Sequence, residues 1–176
     1  MKYEIGEHVV KPGNGVCRVE DVLYMDVPGG DKKQLYYLFI PLTDQNQKIY
    51  VPTSTADANF RKAMSEQEAW DFIAKIPQIG EIWIDDEKMR DHTYKQAVQG
   101  CVPEELAAII KMTKLRKKKR SEQGKKGTVS DERYFRLAES YLYSELGFAL
   151  HKDKDEICCM ISDSVKGEKQ SHGSKA

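Results

Sequence analysis

The hydrophobic pattern of this chain changes near residue 64, and that change limits the folds open to it. Between about residues 7 and 52, short β-branched and aromatic runs alternate with Gly/Pro turns at residues 11–15 and 28–31, which is typical of short strands. From Ser65 onward, apolar residues recur at helical spacing. We therefore predict an α+β protein, with a small SH3/Tudor-like β-barrel followed by an all-α helical domain.

Helix-start signals organise the second part of the chain. Ser65 opens a capping box, and the acidic residues 85–87 and Pro103 suit the first turns of two further helices. Residues 130–132 suit the cap of a last helix. Beyond His151 the sequence is polar with few periodic signals, although residues 157–161 could pack locally. The predicted organisation is a β domain over residues 1–64, a helical domain over residues 65–151 and a flexible tail over residues 152–176.

Composition argues against several classes of protein. No stretch approaches the roughly 20 apolar residues of a membrane helix, and the N-terminus lacks the layout of a signal peptide, so we expect a cytoplasmic protein without a membrane partner. The four cysteines form no C-x-x-C pair, so neither a zinc site nor a disulfide framework is indicated. No catalytic spacing or phosphate-binding loop is present, so we expect no enzyme, no cofactor and no small-molecule substrate.

The charge distribution supplies the most informative polar feature. The 28 basic and 28 acidic residues balance, yet residues 111–126 hold nine basic residues and one acidic residue. Clustered cations can neutralise successive phosphates and release counterions, which favours a nucleic-acid contact. A solvated helix end is the alternative, because cations also complement the C-terminal end of a helix dipole. The candidate phosphate contacts are Lys114, Arg116, Lys117, Lys118, Lys119, Arg120, Lys125 and Lys126.

Trp83 is the second feature that bears on function. It follows Gly80 and precedes the acidic cluster, which places it in the turn that enters a helix. An indole that faces outward there could stack on a base or insert between base steps. The alternative is a core position among Ile79, Ile82 and Ile84, and the residues alone leave both interpretations open.

The β part contains four short motifs. They are Gly6-Glu7-x-Val9-Val10-x-Pro12-x-x-Gly15-Val16, then Val19-Glu20, then Tyr36-Tyr37, and finally Val51-Pro52 followed by Arg61. Together they resemble the N-terminal RNA-polymerase-interacting domain of the CarD/CdnL family, a domain found also in transcription-repair coupling factors.

The helical part resembles the second domain of the stand-alone members of that family. The matching segments are Tyr94-Lys95, Ile109-Ile110-Lys111, Leu115-Arg116-Lys117-Lys118, Gly124-Lys125-Lys126, Leu137-Ala138-Glu139 and Glu145-Leu146. The resemblance spans about residues 1–151. It implies a bacterial transcription regulator whose β domain pairs with the RNA polymerase β subunit. The helical domain would then contact promoter DNA at the upstream edge of the bubble.

The resemblance also assigns roles to single residues. A family tryptophan wedges into the minor groove and helps to keep the bubble open, and Trp83 is our candidate for it, although acidic residues 85–87 follow it where the family has a basic stretch. Further phosphate contacts would be Lys88, Arg90 and Lys95. The polymerase-binding residues would be Tyr36, Tyr37, Ile49, Tyr50, Val51 and Pro52. The alternative for the aromatic and apolar residues among them is the core, because a domain of about 50 residues has little else to bury. Alternative functions are an adaptor for another protein and a nonspecific nucleic-acid-binding protein.

Overall fold

The chain divides into two compact units, Met1–Ala63 and Met64–Ala176. The computed structural model describes residues 1–26, 33–81 and 83–172, with side chains as far as residue 165. The turn predicted at residues 28–31 lies outside the described residues. Within them, no helix is both long and apolar enough to cross a bilayer.

The first unit is built on one antiparallel sheet. Its strands follow the order β4-β3-β2-β1-β5 across the sheet. The β1–β2 turn requires left-handed backbone at Gly13 and Gly15, whose φ angles are +77° and +72°, and glycine adopts this conformation without steric cost. The elements are β1 His8–Lys11, β2 Gly15–Asp26, β3 Lys33–Pro41, β4 Ile49–Pro52, α1 Thr53–Asn59 and β5 Arg61–Lys62.

The sheet is open, so the closure of the predicted barrel is not confirmed. Among the described residues β4 and β5 form the two edges of the sheet and do not pair with each other. Between the edge strands β4 and β5 the chain forms α1. Residues of α1 and of the segments beside it cover the apolar face of the sheet. Ala56 of α1, the following Phe60 and Tyr3 pack with Tyr37 and Phe39 in one buried cluster. The α+β class is confirmed, because helices follow this sheet.

The described residues of the second unit form helices and connecting segments. Ser65 completes a capping box with Glu68, Asp86 accepts a hydrogen bond from the Met89 amide at the start of α3, and α4 begins at Pro103, all as predicted. The helices are α2 Glu66–Lys75, the short 3-10 helix Ile76–Gln78, α3 Glu87–Gly100, α4 Pro103–Glu122, α5 Val129–Leu150 and α6 Lys154–His172.

Two expectations about the helices are corrected. The cap of α5 is Thr128, whose hydroxyl accepts from the Asp131 amide, and it precedes the predicted cap by two residues. Residues 154–172 form a helix where a flexible tail was predicted. Ile157 is fully buried in the helical core, and Ile161 and Val165 pack against that core at the spacing of one helix face. Residues 173–176 of the predicted tail lie outside the described residues.

Candidate nucleic-acid and protein interfaces

Trp83 lies in the segment that joins the 3-10 helix to α3. Its side chain is 44% exposed and is not part of the helical core cluster, so the alternative of a core position does not hold for the described residues. Ile82, one of the proposed core neighbours, lies outside those residues. The indole Nε1–H donates to the Asp85 carboxylate at 2.5 Å. The ring therefore has its polar atom fixed while part of its surface faces solvent.

Two cations of α4 lie over the Trp83 ring. The Lys119 ammonium is 4.1 Å from the ring centroid and the Arg116 guanidinium carbon is 5.8 Å from it. Both distances are within the reach of a cation–π attraction. Residues three apart share one side of a helix, so α4 presents this pair to the indole together. The structure thus brings part of the basic run and the tryptophan together.

Arg116 also belongs to a buried ionic cluster with Asp131 and Arg90. Its Nε lies 3.0 Å from Asp131 Oδ2, and the Nε of Arg90 lies 3.8 Å from Asp131 Oδ1. Arg90 is 8% exposed and Asp131 is 6% exposed. Since charges are buried in proteins when they are paired, these arginines serve the interior. Among the predicted phosphate contacts, Arg90 and Arg116 are thus the two that are paired with Asp131 inside the helical unit.

Tyr94 lies beside this cluster. Burial raises the pKa of its phenol, and the nearby Asp131 carboxylate raises it further. The Tyr94 hydroxyl is buried without a hydrogen-bond partner among the described residues, and its ring packs edge-on against Tyr134 at 5.8 Å. In the described part of the chain, the side of α3 that carries Arg90 and Tyr94 therefore packs into the helical unit. Lys95, a predicted phosphate contact, is exposed next to Tyr94.

The remaining predicted phosphate contacts lie at the surface. At 3.6 residues per turn, the cations of α4 divide between two sides of the helix, one of which carries the pair beside Trp83. The loop after α4 folds back onto it, because Arg120 Nε donates to the Lys126 carbonyl at 2.7 Å. Arg120 is partly exposed, and the exposed cations of the predicted set are Lys88, Lys95, Lys114, Lys117, Lys118, Lys119, Lys125 and Lys126.

Lys111, the first cation of the basic run, has a different environment. Its ammonium donates to the carbonyls of Pro77 and Ile79, each at 3.0 Å. It thereby ties α4 to the segment that leads towards Trp83.

The sheet of the first unit has two unlike faces. Tyr37 and Val51 stand opposite each other in the β3–β4 register and are buried, with the Tyr37 hydroxyl 3.0 Å from Asp57 Oδ1. Ile49 packs against the same buried cluster. The side chains of Tyr37, Ile49 and Val51 therefore belong to the core of the sheet, so that only the β4 main chain of Ile49 and Val51 could reach a partner.

The other three predicted polymerase-binding residues, Tyr36, Tyr50 and Pro52, lie on the outer face of the sheet. Tyr36 pairs with Pro52 and Leu38 pairs with Tyr50, and directly opposed residues of an antiparallel pair lie on one face. Tyr50 is 43% exposed and the other three are partly exposed. Within the described chain β4 pairs with β3 alone, so its outer edge is available for a further strand. Edge and aromatic face together suit a protein partner.

These features define a small interaction domain built on an antiparallel sheet. It precedes a helical unit in which two cations lie over a partly exposed tryptophan. Residues 3–64 match the model of the CarD-like/TRCF RID domain family. The family is a non-enzymatic interaction domain that binds the RNA polymerase β subunit. The match ends where the helical unit begins. No curated protein matches the chain at a significant level.

Proposed function

We propose that this protein is a transcription regulator that holds the RNA polymerase β subunit through its N-terminal domain and contacts promoter DNA through its helical unit. The observation that carries the proposal is the match of residues 3–64 to the RID domain family. The DNA contact lies at the upstream edge of the promoter bubble, and its effect is to stabilise the open complex. The protein performs no reaction of its own.

The polymerase contact uses the open edge of β4 and the face beside it. Main-chain hydrogen bonds to an added strand supply affinity, and side-chain pockets at alternate positions supply specificity. Tyr50 is the best-exposed aromatic residue of that face, and Tyr36 and Pro52 extend the surface along the neighbouring register positions. Aromatic side chains of this kind are frequent anchors of protein interfaces.

The DNA contact has two parts: lysines that neutralise phosphates and a tryptophan that inserts at a distorted base step. The exposed lysines of α4 and of the following loop neutralise phosphates without reading sequence. Trp83 supplies the second part, because an apolar ring inserted at an unstacked base step is stabilised only where the duplex is already distorted. Its indole is partly exposed, and two neighbouring cations lie on the same site.

Selective binding to distorted DNA is enough to regulate a promoter. A protein that binds the open complex more tightly than the closed complex shifts the equilibrium between them by the difference of the two affinities. No cofactor or small-molecule substrate is needed for such an effect.

The lifetime of the open complex on a single promoter tests the proposal. Polymerase is allowed to open the promoter with and without the full-length protein, and the decay of open complexes is followed after a competitor is added. We expect a longer lifetime with the protein. Binding to the β subunit without any change in lifetime would favour an adaptor instead. DNA affinity that does not depend on polymerase would favour a nonspecific nucleic-acid-binding protein.

A further inference from the structure

We propose that Asp131 is the positioning residue for Trp83, acting through Arg116 on the ring and through Arg90 on the backbone. The inference rests on the proposed contact of Trp83 with DNA and names a group that sets the geometry of that contact. Asp131 touches both arginines, and each arginine reaches a different part of the Trp83 segment.

The first arm of this arrangement orients the indole ring. Asp131 Oδ2 accepts a hydrogen bond from Arg116 Nε at 3.0 Å, and the guanidinium carbon of Arg116 lies 5.8 Å from the Trp83 ring centroid. The side chain of Arg116 is only 13% exposed. A guanidinium is planar and holds a fixed fork of donors, so fixing its Nε also fixes the position of the plane beside the indole.

The second arm fixes the backbone next to Trp83. Arg90 Nη1 donates to the carbonyl oxygens of Ile84 and Asp85, at 3.2 and 3.3 Å. These are the two residues that follow Trp83 in the chain. Arg90 Nε lies 3.8 Å from Asp131 Oδ1, so the same carboxylate stabilises the arginine that fastens this backbone.

Asp131 is itself fixed by the start of α5. Its amide donates to the Thr128 hydroxyl at 3.1 Å, and a carboxylate in the first turn of a helix is favoured by the helix dipole. Removal of its charge would leave two buried guanidinium groups close together without their shared counter-ion, which is unfavourable. Both arms that reach Trp83 should then loosen together.

The free, full-length protein tests this positioning without DNA. The chain has two tryptophans, and Trp70→Phe leaves Trp83 as the only one. In that background, Asp131→Asn should raise the rate of acrylamide quenching of Trp83 and lower its fluorescence anisotropy. We expect the loosely held fraction of the ring to increase about two- to fivefold, the change that corresponds to the loss of one exposed cation–π contact. Glu132→Gln, which removes the neighbouring exposed carboxylate, is the matched control and should change neither signal.

A second variant keeps the test decisive if Asp131→Asn does not fold, as judged by circular dichroism. Arg116→Lys retains a cation that can pair with Asp131 but loses the planar guanidinium beside the ring, so it should also increase quenching. Unchanged quenching in every folded variant of Asp131 and Arg116 overturns the proposal.

Open-complex lifetime separates positioning from a general structural role. Asp131→Asn should shorten the lifetime in the wild-type background and should have no further effect in a Trp83→Ala background, because its effect passes through the ring. Equal shortening in both backgrounds would overturn the proposal. If Trp83→Ala leaves the lifetime unchanged, the proposed DNA role fails, and the fluorescence of the free protein shows separately whether Asp131 orients the ring.

Discussion

At the scale of single residues, two of the three acidic side chains that follow Trp83 in the acidic stretch 85–87 have local partners. Asp85 accepts the indole Nε1–H, and Asp86 accepts from the Met89 amide at the start of α3. A free carboxylate beside a phosphate backbone would oppose binding. Here Asp85 positions the ring and Asp86 begins the helix, while the exposed Lys119 supplies positive charge beside the indole. Both aspartates are therefore compatible with a DNA contact at Trp83.

Trp83→Ala should shorten the lifetime of the open promoter complex and leave binding to polymerase β intact. A ring that fills an unstacked step contributes about 1 to 3 kcal/mol to the open state alone, which changes the ratio of open to closed complexes by about 5- to 150-fold. Because the ring is 44% exposed, the melting temperature should fall little.

The control for this variant is the second tryptophan of the chain. Trp70 lies on α2 and is also 44% exposed, so Trp70→Ala removes an indole of equal exposure outside the proposed site. It should not alter the open-complex lifetime. A clear drop in melting temperature for Trp83→Ala, with a loss of lifetime that follows the unfolded fraction, would show that the ring serves stability and not DNA.

Tyr50→Ala should weaken binding to polymerase β about tenfold without unfolding the domain, which is the usual cost of removing an aromatic interface anchor. Titration of the purified β subunit measures the affinity. Tyr24→Ala is the matched control, since Tyr24 is 68% exposed but lies on the opposite face of the sheet. Tyr37→Ala should instead unfold the domain, at a cost of about 3 to 5 kcal/mol, because Tyr37 is fully buried. Equal losses for Tyr50→Ala and Tyr24→Ala would reject the proposed binding face.

At the scale of elements, the C-terminal half of α4 carries the charge-based contact with DNA. Replacement of Lys117, Lys118 and Lys119 by Ala should weaken DNA binding to a similar extent for different sequences. The slope of log K against log salt should fall by about one to three, since each neutralised phosphate contributes about 0.9. Binding isotherms at several salt concentrations measure this slope.

A charge-matched triple variant controls for the change in overall charge. Lys33, Lys48 and Lys75 are exposed lysines outside the basic run, and their joint replacement by Ala removes the same three charges. This control should retain the salt slope of the wild-type protein. If the α4 variant also retains it, these lysines form a solvated helix end and do not contact phosphates.

Local signals predict the starts of α2, α3 and α4, and distant contacts explain why the closure of the sheet was not predicted correctly. Ser65, Asp86 and Pro103 act within one turn of their own helices, so their sequence context was sufficient. The closure of the sheet depends on which element meets its far edge. Nothing near β4 indicated that α1 residues would cover the apolar face instead.

The same limit applies to the candidate site. The sequence does not show whether an arginine is buried or exposed. Arg116 differs from the neighbouring cations because it pairs with Asp131, which is 15 residues away along the chain. The helix α6 is different, because its apolar residues already had helical spacing in the sequence. Ile157, Ile161 and Val165 carried a local signal for a packed helix within the predicted tail.

At the scale of the whole molecule, the proposed function explains why weak DNA contacts are sufficient. The chain has no net formal charge, so long-range attraction to DNA arises from the basic run and not from the protein as a whole. A domain that is held on polymerase places the helical unit at a high effective concentration near the promoter. A few phosphate contacts and one inserted ring then act where the bubble forms, whereas the free protein would bind DNA weakly.

This division of labour predicts that a fragment of residues 1–64 binds polymerase β by itself and without DNA. The fragment contains the whole family match and a hydrophobic core of its own. Its dissociation constant should lie within about a factor of three of the full-length value, a difference of less than about 1 kcal/mol. The measurement is a titration of the β subunit, after circular dichroism has shown that the fragment is folded. A fragment of residues 64–176 is the control and should not bind the β subunit when DNA is absent. Binding that requires residues 81–151 would mean that the helical unit takes part in holding polymerase, and the assignment of one partner to each unit would be wrong.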